Sequence, residues 1–556
     1  MSHPLFAKHQ ETLDRALAAI DQRGYWSPFV EMPSARAYGE KANDDGRAAF
    51  EALIGHPFPL QQVATAGEAG HEISPFGPVL DIRYPCPDLD SLIAAAQAAM
   101  AGWRSAGPET WVGVALETLV RLNRRSFEMA YAVMHTTGQA FMMAFQAGGP
   151  HAQDRGLEAV AYAWQQMARV PASAVWEKPQ GKNPPLRMEK RFTIVPRGLA
   201  LVSGCSTFPN WNGYPGLFAS LATGNAVIVK PHPSVILPLA LTVQTARQVL
   251  AEQGLDPNLV TLAAHNEGDD LPQRLALRPE VKLIDFTGSP AHGEWLERNA
   301  RQALVYTEKA GVNAIVIDST GDFAGLASNV AFSLALYSGQ MCTAPQNIFV
   351  PRGGIATPAG PLSFADVCAG LADALRKLLG DPARAVEILG AIQSPAILAR
   401  LEQSSQAPPE AVLLASQTIT HPQFPQARVR TPLLLRAEAA AEASFMHEIF
   451  GPVAFVIATA STAESLALAG RGARERGALT FSVYSTDSGV LAQARAIAAE
   501  TGVSLSENLT SVVYVNQSAA YSDFHGTGAN PAANASLTDA AFVAGRYRVV
   551  QSRAHL

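Results

Sequence analysis

The sequence predicts an α/β protein with two domains built on parallel sheets. Between Leu199 and Asp318, short β-rich runs such as LALVSG, AVIVK and VKLIDF alternate with longer helical runs. A second alternating region extends from Asn313 to about Leu509 and contains NAIVID, NIFVP and VAFVIATA. Strands separated by helices are typical of parallel sheets covered by helices, so two α/β domains are the simplest interpretation. The 556 residues leave room for about three or four structural units in all.

The segments outside these regions predict an extension, packing helices and a final strand. Residues 1–80 mix helical patches with turn-rich pieces, and we expect them to pack on the main body. From Asp88 to Met143, apolar residues recur at three- and four-residue spacing, which predicts helices. The stretch EKPQGKNPPLRMEKRFTIVPRG breaks this pattern with prolines and charges. Near the end, SVVYV predicts a strand followed by a loop rich in Gly, Ala and Asn.

Composition and charge exclude several classes of protein. With 42 Lys and Arg against 48 Asp and Glu, the net charge of −6 gives no general attraction to nucleic acid or to an anionic membrane. Four cysteines without a CxxC pair argue against a disulfide scaffold or a zinc site and favour a reducing compartment. The charged N-terminus does not resemble a signal peptide, and no apolar run is long enough for a membrane span. We therefore expect a cytoplasmic protein without a metal.

Two strand ends carry groups that could bind a nucleotide, although no GxGxxG motif occurs. In VKLIDFTGSPAHG, a buried strand is expected to end at Phe286, and Thr287, Gly288 and Ser289 to open a helix whose N-terminus could hold a phosphate. Taken alone, an ordinary turn with Ser289 as N-cap explains this segment better. Lys230 ends the run AVIVK, where it could contact a ribose or phosphate, although most lone lysines are simply solvated.

Three further segments contain residues that could take part in catalysis. Cys342 lies in YSGQMCTAP, where Gly339 permits close approach of another backbone. Glu308 follows a strand-like run in LVYTEKAGVN, and Glu448 lies in MHEIFGPV. Taken singly, an inert buried cysteine and two surface carboxylates account for these residues.

Taken together and in this order, the motifs resemble the aldehyde dehydrogenase superfamily from about Pro75 to the C-terminus. The set comprises STFPNWNGYPGLFASLATGNAVIVKP, FTGS, TEKAG, SGQMCT and EIFGPV, spread over about 250 residues. More narrowly, GCSTFPNWNGYP with KPHPS resembles the PaaN-type aldehyde dehydrogenases of phenylacetate degradation. The resemblance implies two Rossmann-like α/β domains, one for the cofactor and one for catalysis, and a β oligomerisation arm.

The resemblance also implies domain boundaries and an assembly. The NAD(P)-binding domain is expected over 81–182 and 199–312 and the catalytic domain over 313–511. The arm and C-terminal tail are expected over 183–198 and 512–556. The hairpin of the arm is placed near Leu186 to Arg197 and the last strand near Val512 to Val515. An arm that extends a neighbour's sheet implies a homodimer or a dimer of dimers.

The resemblance implies that Cys342 is the nucleophile, whose thiolate attacks an aldehyde and, after hydride transfer, carries a thioester. Glu308 matches the general base that activates water for hydrolysis, which favours a free acid over transfer to coenzyme A. The resemblance also assigns the cofactor contacts. Lys230 matches the ribose contact, and Gly288 and Ser289 match the pyrophosphate turn, next to Phe286 and Thr287. Glu448 and Phe450 match the residues that contact the nicotinamide ribose and ring. NAD-preferring relatives carry a glutamate three residues after the lysine, where this chain has Pro233. NADP is therefore expected, with His232 or Lys230 near its 2′-phosphate, and NAD remains acceptable.

One departure from the family pattern concerns the oxyanion donor. Relatives place an asparagine just before the Phe-Pro of the first motif, whereas this chain has Thr207. Losing a good donor costs on the order of 100-fold in rate. The backbone N–H of Cys342, or Asn210 or Asn212, could supply a replacement. A slow enzyme, a recruited donor and an inactive relative all remain open.

The first functional hypothesis is NADP-dependent oxidation of 3-oxo-5,6-dehydrosuberyl-CoA semialdehyde, the ring-opened aldehyde of phenylacetate degradation, to its acid. That substrate comes only from the subfamily resemblance. Another aldehyde, CoA-linked or aromatic, or an acyl-CoA product is an alternative within the same chemistry. A catalytically weak, dehydrogenase-like binding subunit is the alternative from another class.

Overall fold

Two sheets of mainly parallel strands form the body of the protein, which confirms the predicted α/β class. The computed structural model describes residues 3–63, 65–309 and 311–556. Before the first large sheet come two short strands and a set of helices. The strands are β1 (Thr65–Ala69) and β2 (Tyr84–Pro87), and the helices are α1 (Pro4–Gln22), α2 (Ala35–Tyr38), α3 (Ala42–Glu51), α4 (Leu89–Arg124), α5 (Ser126–Thr137), α6 (Phe141–Gly148) and α7 (Pro150–Ala168).

The first helix anchors the N-terminal extension to the main core. Its apolar face buries Leu5, Phe6, Leu13 and Ile20 in the cluster that also contains the strands of the first large sheet. Burial of such a face supplies most of the stability of a surface helix. A hairpin of two long strands then leaves this layer: β3 (Ser173–Gln180) and β4 (Asn183–Pro196). Most residues of the hairpin are exposed.

The first large sheet consists of five parallel strands. They are β5 (Leu199–Ser203), β6 (Ala226–Lys230), β7 (Val260–Leu262), β8 (Val281–Gly288) and β9 (Leu304–Lys309). The helices between them are α8 (Pro209–Ala222), α9 (Leu237–Glu252), α10 (Leu271–Ala276) and α11 (Pro290–Asn299). The strand order is β7-β6-β5-β8-β9. The chain therefore reverses its direction of growth between β5 and β8, and the carboxyl ends of these two strands frame a crevice.

The second large sheet has seven strands, of which only β12 is antiparallel to its neighbour. The strands are β10 (Ala314–Ile317), β11 (Asn347–Pro351), β12 (Val412–Leu414), β13 (Leu433–Glu438), β14 (Val453–Thr459), β15 (Thr480–Tyr484) and β16 (Ser504–Glu507). The helices are α12 (Phe323–Ala335), α13 (Phe364–Leu378), α14 (Pro382–Leu389), α15 (Pro395–Ser404), α16 (Glu442–Phe445), α17 (Thr462–Arg476) and α18 (Ser488–Thr501). The strand order is β12-β13-β14-β11-β10-β15-β16.

The last strand does not lie at Val512 to Val515, so that prediction is wrong. These residues form turns and loop, and Val512 is 77% exposed. The apolar run resembles a strand, but the side-chain amide of Asn329 donates to the carbonyls of Ser511 and Val513, at 3.2 and 2.7 Å, in place of a neighbouring strand. The last strand is instead β17 (Tyr547–His555), which follows α19 (Ala540–Ala544).

The strand β17 pairs with β4 along its whole length, so that the exposed hairpin becomes a three-stranded sheet in the order β17-β4-β3. The strand β4 covers most of the predicted hairpin, but its partner β3 precedes residue 183 and lies in the range assigned to the cofactor domain. At the base of β17, the buried Arg546 guanidinium donates to both carboxylate oxygens of Asp285, at 2.8 and 2.5 Å. This ion pair ties the C-terminal segment to β8.

In the part of the chain that the structure describes, no helix combines the length and the apolar character needed to cross a bilayer.

Candidate active site

A cavity of about 510 Å³ opens at the carboxyl ends of β5, β6 and β8. Its wall brings together the predicted nucleophile, general base, oxyanion-donor position and cofactor contacts. The predicted catalytic residues in the wall are Cys342, Glu308 and Thr207, and the predicted cofactor residues there are Lys230, His232, Phe286, Thr287, Gly288, Ser289, Glu448 and Phe450. Residues far apart in the chain therefore share one cleft between the two large sheets.

The strand and helix at the predicted phosphate turn differ slightly from the prediction. The strand β8 continues through Thr287 and Gly288, which pair with β9, rather than ending at Phe286. The helix α11 then begins at Pro290, with Ser289 in the N-cap position. The side chain of Ser289 makes no capping hydrogen bond, so the first N–H groups of this helix stay available to an anion.

Burial lowers the pKa values of two basic groups in this cavity wall, Lys230 and His232. The pKa of Lys230 falls to about 8 because its ammonium is buried, and no carboxylate among the described residues pairs with it. The pKa of His232 falls to about 4 because of burial and the nearby Lys230 charge. At neutral pH, Lys230 therefore carries positive charge, whereas His232 can offer only a neutral ring. The Nδ1 atom of that ring is 2.8 Å from Ser234 Oγ.

A buried carboxylate occupies the start of the helix that follows Pro233. The carboxylate of Glu72 accepts hydrogen bonds from the N–H groups of Ile236 and Leu237, at 2.5 and 3.1 Å, and one from the Tyr84 hydroxyl at 2.5 Å. The first N–H groups of α9 are therefore already satisfied and do not need an anionic ligand.

Glu448 lies in the same wall, next to α15. Burial raises the pKa of its carboxyl to about 7, and the charge of Arg400 opposes this rise only in part. A carboxyl group in this state readily exchanges hydrogen bonds with neutral hydroxyl groups. This property suits a contact to ribose.

The nucleophile candidate Cys342 follows a sharp and unusual turn. Tyr337, Ser338 and Gly339 all have φ between 51° and 64°, in the left-handed region. The turn is held because Ser338 Oγ donates to the carbonyls of Leu389 and Arg430, both at 3.1 Å. A Cβ atom on Gly339 would come within 2.7 Å of the Gly451 carbonyl, so only glycine fits there. A strained backbone conformation that surrounding contacts hold in place is typical of functional sites.

Cys342, His525 and Glu308 form a hydrogen-bonded cluster. The Nε2 atom of His525 lies 3.8 Å from Cys342 Sγ and 2.9 Å from Glu308 Oε1. The other carboxylate oxygen of Glu308 accepts a hydrogen bond from the Asn212 amide at 3.1 Å. The thiol, the imidazole and the carboxylate can therefore share protons directly.

The electrostatics of this cluster set the resting protonation. The pKa of the Cys342 thiol lies well above its usual value, because burial and the negative charge of Glu308 disfavour the thiolate. Burial also works to raise the pKa of Glu308. Nevertheless that pKa lies below its usual value, because the charge and hydrogen bond of His525, with bonds from Cys342 and Asn212, outweigh burial. The resting cluster thus holds a thiol beside a carboxylate.

Sequence reasoning missed His525. Its ring meets that of Trp211 edge-on, with centroids 4.5 Å apart, and the Arg155 guanidinium lies 5.1 Å from the Trp211 ring. Arg155 in turn donates to Ser518 Oγ at 2.9 Å and to the Asp523 carbonyl at 3.0 Å, which fixes the loop before His525. The only signal in the sequence was one histidine, in a tail that was expected to be a loop.

The structure narrows the choice of oxyanion donor. The Asn210 amide donates to the Gly148 carbonyl at 2.8 Å, and the Asn212 amide donates to Glu308. Each of these amides has a second N–H donor, but only Asn212 lines the cavity, so Asn212 is the better placed of the two to replace the family asparagine. Thr207 is buried in the cavity wall, and its carbonyl accepts from the Gln139 amide at 2.8 Å, which holds this segment beside Cys342.

A second cavity, of about 750 Å³, also reaches the cluster. It shares Phe208, Asn212 and Cys342 with the first cavity, and His525 lies in its wall. Part of the wall comes from the N-terminal extension, between Tyr25 and Glu31. Cys342 is therefore reached from two cavities, one of which contains the predicted cofactor residues.

Comparisons with known proteins agree with this geometry. The model of the aldehyde dehydrogenase family matches residues 85–520. The crystal structure of an NAD-dependent aldehyde dehydrogenase from Burkholderia multivorans is 65% identical, covers 100% of both chains and superposes with a TM-score of 0.99. A 1-pyrroline-5-carboxylate dehydrogenase from Thermus with bound NAD shares the fold, with a TM-score of 0.74 and 19% identity over 96% of this chain and 99% of that one.

Curated relatives are more distant. The N-succinylglutamate 5-semialdehyde dehydrogenase of Burkholderia lata is 27% identical over 269 residues, which are 48% of this chain and 52% of that protein. The chain spans less than two thirds of the length of this and other curated relatives. The family assignment rests on the 85–520 match and on the full-length similarity to the Burkholderia multivorans structure. The chain belongs to the aldehyde dehydrogenase family.

Proposed function

We propose that this protein oxidises an aldehyde to a carboxylic acid, with a nicotinamide dinucleotide as hydride acceptor. The observation that carries the proposal is that Cys342 and Glu308 both line the first cavity, together with every predicted cofactor residue. Cys342 also lines the second cavity. The first cavity fits a dinucleotide because it offers an unpaired Lys230 ammonium and a helix start with unfilled N–H groups. A dinucleotide bound there supplies the hydride acceptor.

The residues of the cluster divide the chemistry into two stages. In the first, Cys342 Sγ loses its proton to a neighbouring base and forms a bond to the aldehyde carbon, which later loses hydride and becomes a thioester. In the second, Glu308 takes a proton from water, the water oxygen bonds to the acyl carbon, and the C–S bond breaks to release the acid. His525 touches both groups and orients Glu308 toward Cys342.

We also propose that the cofactor cavity accepts NADP as well as NAD. Pro233 lines the cavity and presents no carboxylate to repel a 2′-phosphate. Since Glu72 already occupies the start of α9 and His232 is neutral, the attraction for that phosphate comes from Lys230. The similar Burkholderia multivorans protein is named NAD-dependent. Comparing kcat/KM for both cofactors tests the proposal, and a strong NAD preference counts against it.

The sheets suggest how the chain divides and assembles. We propose that the five-stranded sheet belongs to the cofactor domain and the seven-stranded sheet to the catalytic domain. The exposed sheet of β17, β4 and β3 would then be the arm of a homodimer or dimer of dimers. Its apolar side chains Val175, Leu186 and Val550 are 43–58% exposed, which supports a role in contacts with a second copy.

The ring-opened CoA semialdehyde of phenylacetate degradation stays a prediction of the resemblance to PaaN-type enzymes. Hydrolysis to a free acid is favoured over acyl transfer, because Glu308 is present and lies beside the nucleophile. Coenzyme A added to the assay therefore should not change the rate. A strict requirement for coenzyme A would replace hydrolysis with acyl transfer.

The decisive experiment follows reduced cofactor by absorbance, with a panel of aldehydes. Cys342→Ala should abolish its formation. Glu308→Gln should give a burst of about one reduced cofactor per site and then turn over about 100-fold or more slowly, because the thioester forms but water is not activated. Cys86→Ser, which changes a cysteine outside the cleft, should behave as wild type. Equal traces for wild type and Cys342→Ala would instead support a binding subunit without this activity.

A further inference from the structure

The wall of the second cavity is largely apolar where it approaches Cys342. Ten aromatic or thioether side chains contribute to that wall, from segments that include the N-terminal extension, α6, α12 and the residue before the nucleophile. Examples are Trp26, Phe29, Met142, Met143, Phe332 and Met341. Side chains of this kind bind hydrocarbon and ring systems by area and shape rather than by charge.

The charged groups in this wall are acidic or already paired. The carboxylates are Glu31, Asp154, Glu387 and Asp523, and no lysine or arginine lies among the described residues of the wall. Glu31 and Asp523 are exposed and therefore lie toward solvent, at the mouth. His151 is 2.9 Å from Glu31 and so is balanced by it. Asp154 accepts from Ser27 Oγ, and burial raises its pKa well above the usual value, which disfavours its charged form.

The arginine behind the wall cannot serve an anionic ligand. Arg155 is fully buried outside the wall, and its charge is paired with Glu158 at 2.8 Å. It also donates to Ser518 Oγ and to the Asp523 carbonyl, while its buried Nε–H has no partner among the described residues. On the catalytic side, His525 is committed to Glu308. A carboxylate or phosphate entering this cavity would therefore lose its water without gaining a cationic partner, and would pass carboxylates at the mouth.

We propose that the substrate is an uncharged aldehyde with an apolar or aromatic body, held in this second cavity. The inference rests on the proposed oxidation and adds the chemical class of the molecule oxidised. That class differs from the CoA-linked semialdehyde that the PaaN-type resemblance implies. Its body contacts the aromatic and methionine side chains, and its carbonyl carbon reaches Cys342. The N-terminal extension, which supplies Trp26 and Phe29, thereby takes part in substrate selection.

Matched pairs of aldehydes test this inference. Hexanal is compared with 6-oxohexanoate, and benzaldehyde with 4-carboxybenzaldehyde, so that each pair differs by one carboxylate. The neutral member should have a kcat/KM about 100-fold higher or more. Raising the ionic strength should increase kcat/KM for the anionic member and leave the neutral member unchanged, since salt screens the repulsion at the mouth.

A charge added to the wall provides the second test. Met142→Arg places a cation at a partly exposed position in the cavity, and should raise kcat/KM for 6-oxohexanoate about tenfold relative to hexanal. Met32→Arg is the matched control, because Met32 is also exposed but lies outside the wall, and it should leave the ratio unchanged.

The outcomes separate the inference from the proposed function. If 6-oxohexanoate, 4-carboxybenzaldehyde or a CoA-linked semialdehyde is oxidised better than the neutral aldehydes, the inferred substrate class is wrong while the proposed oxidation stands. If no aldehyde of either class yields reduced cofactor, the proposed function itself fails. A preference for neutral aldehydes that Met142→Arg reduces and Met32→Arg leaves unchanged supports the inference.

Discussion

Replacing His525 with phenylalanine removes the imidazole that touches both Glu308 and Cys342 while keeping a ring against Trp211. In the native cluster, His525 holds the pKa of Glu308 below its usual value against the opposing effect of burial. Without His525, burial dominates, and the pKa of Glu308 should rise above the usual value. Glu308 must be a carboxylate to accept a proton from water, so the acidic limb of the kcat profile should move to higher pH.

The size of the shift follows from the contact that is lost. A hydrogen bond to a charged group contributes about 1.5–3 kcal/mol. One pKa unit corresponds to about 1.4 kcal/mol. The 2.9 Å bond from His525 to Glu308 should therefore account for a shift of about 1–2 pH units. The Asn212 bond remains in the variant and limits the change.

The assay is the pH dependence of kcat, with the burst of reduced cofactor measured in parallel to show that hydrolysis limits turnover. His525→Gln keeps a donor near Glu308 and should recover part of the native profile. His56→Phe changes an exposed histidine outside the cleft and should leave the profile as in wild type. An acidic limb at the same pH in wild type and His525→Phe would refute the reasoning, because a merely structural role for His525 would lower the amount of active protein without moving that limb.

Three other predictions concern the cofactor, stability and metal ions. Pro233→Glu should lower kcat/KM for NADP about tenfold or more while sparing NAD, as repulsion returns; equal losses for both cofactors would contradict this. Arg546→Met leaves Asp285 buried and unpaired and should cost about 3–5 kcal/mol in urea unfolding. Exposed Arg548→Met should cost under about 0.5 kcal/mol, and similar losses in the two variants would disprove the role of the pair. Zinc ions should inhibit reversibly, since thiol, imidazole and carboxylate donors lie within 4.8 Å; His525→Phe should weaken the inhibition, and equal inhibition would place the zinc elsewhere.

Features encoded locally could be predicted from the sequence. Runs such as AVIVK and VKLIDF are strands because each is a short apolar stretch between helical segments, and their positions agree with β6 and β8. Carboxyl ends of parallel strands meet at one edge, which accounts for Lys230 and Gly288 in one cavity wall. The grouping of these residues with Cys342 was implied by the family resemblance, and Cys342 lines the same cavity. Here the order of elements along the chain already determines which side chains meet.

Other features depend on contacts that no local pattern records. The run SVVYV has the composition of a strand, yet it pairs with no strand in the part of the chain that the structure describes. The Asn329 amide donates to the carbonyls of Ser511 and Val513 instead. His525 lies in a loop whose path is set by Arg155, distant in sequence. Glu72 meets the start of α9 only because the extension folds back on the first sheet. Each of these positions follows from long-range packing.

Residues inside the family motifs and residues outside them line different cavities in this molecule. The residues that match the family motifs, such as Lys230, Glu308 and Cys342, line the first cavity. The second cavity is built mainly from segments outside those motifs, including Tyr25 to Glu31 and the loop before His525. Motifs can therefore identify the reaction without identifying the aldehyde. The charge pattern of the second wall is the property of this chain that distinguishes one aldehyde class from another.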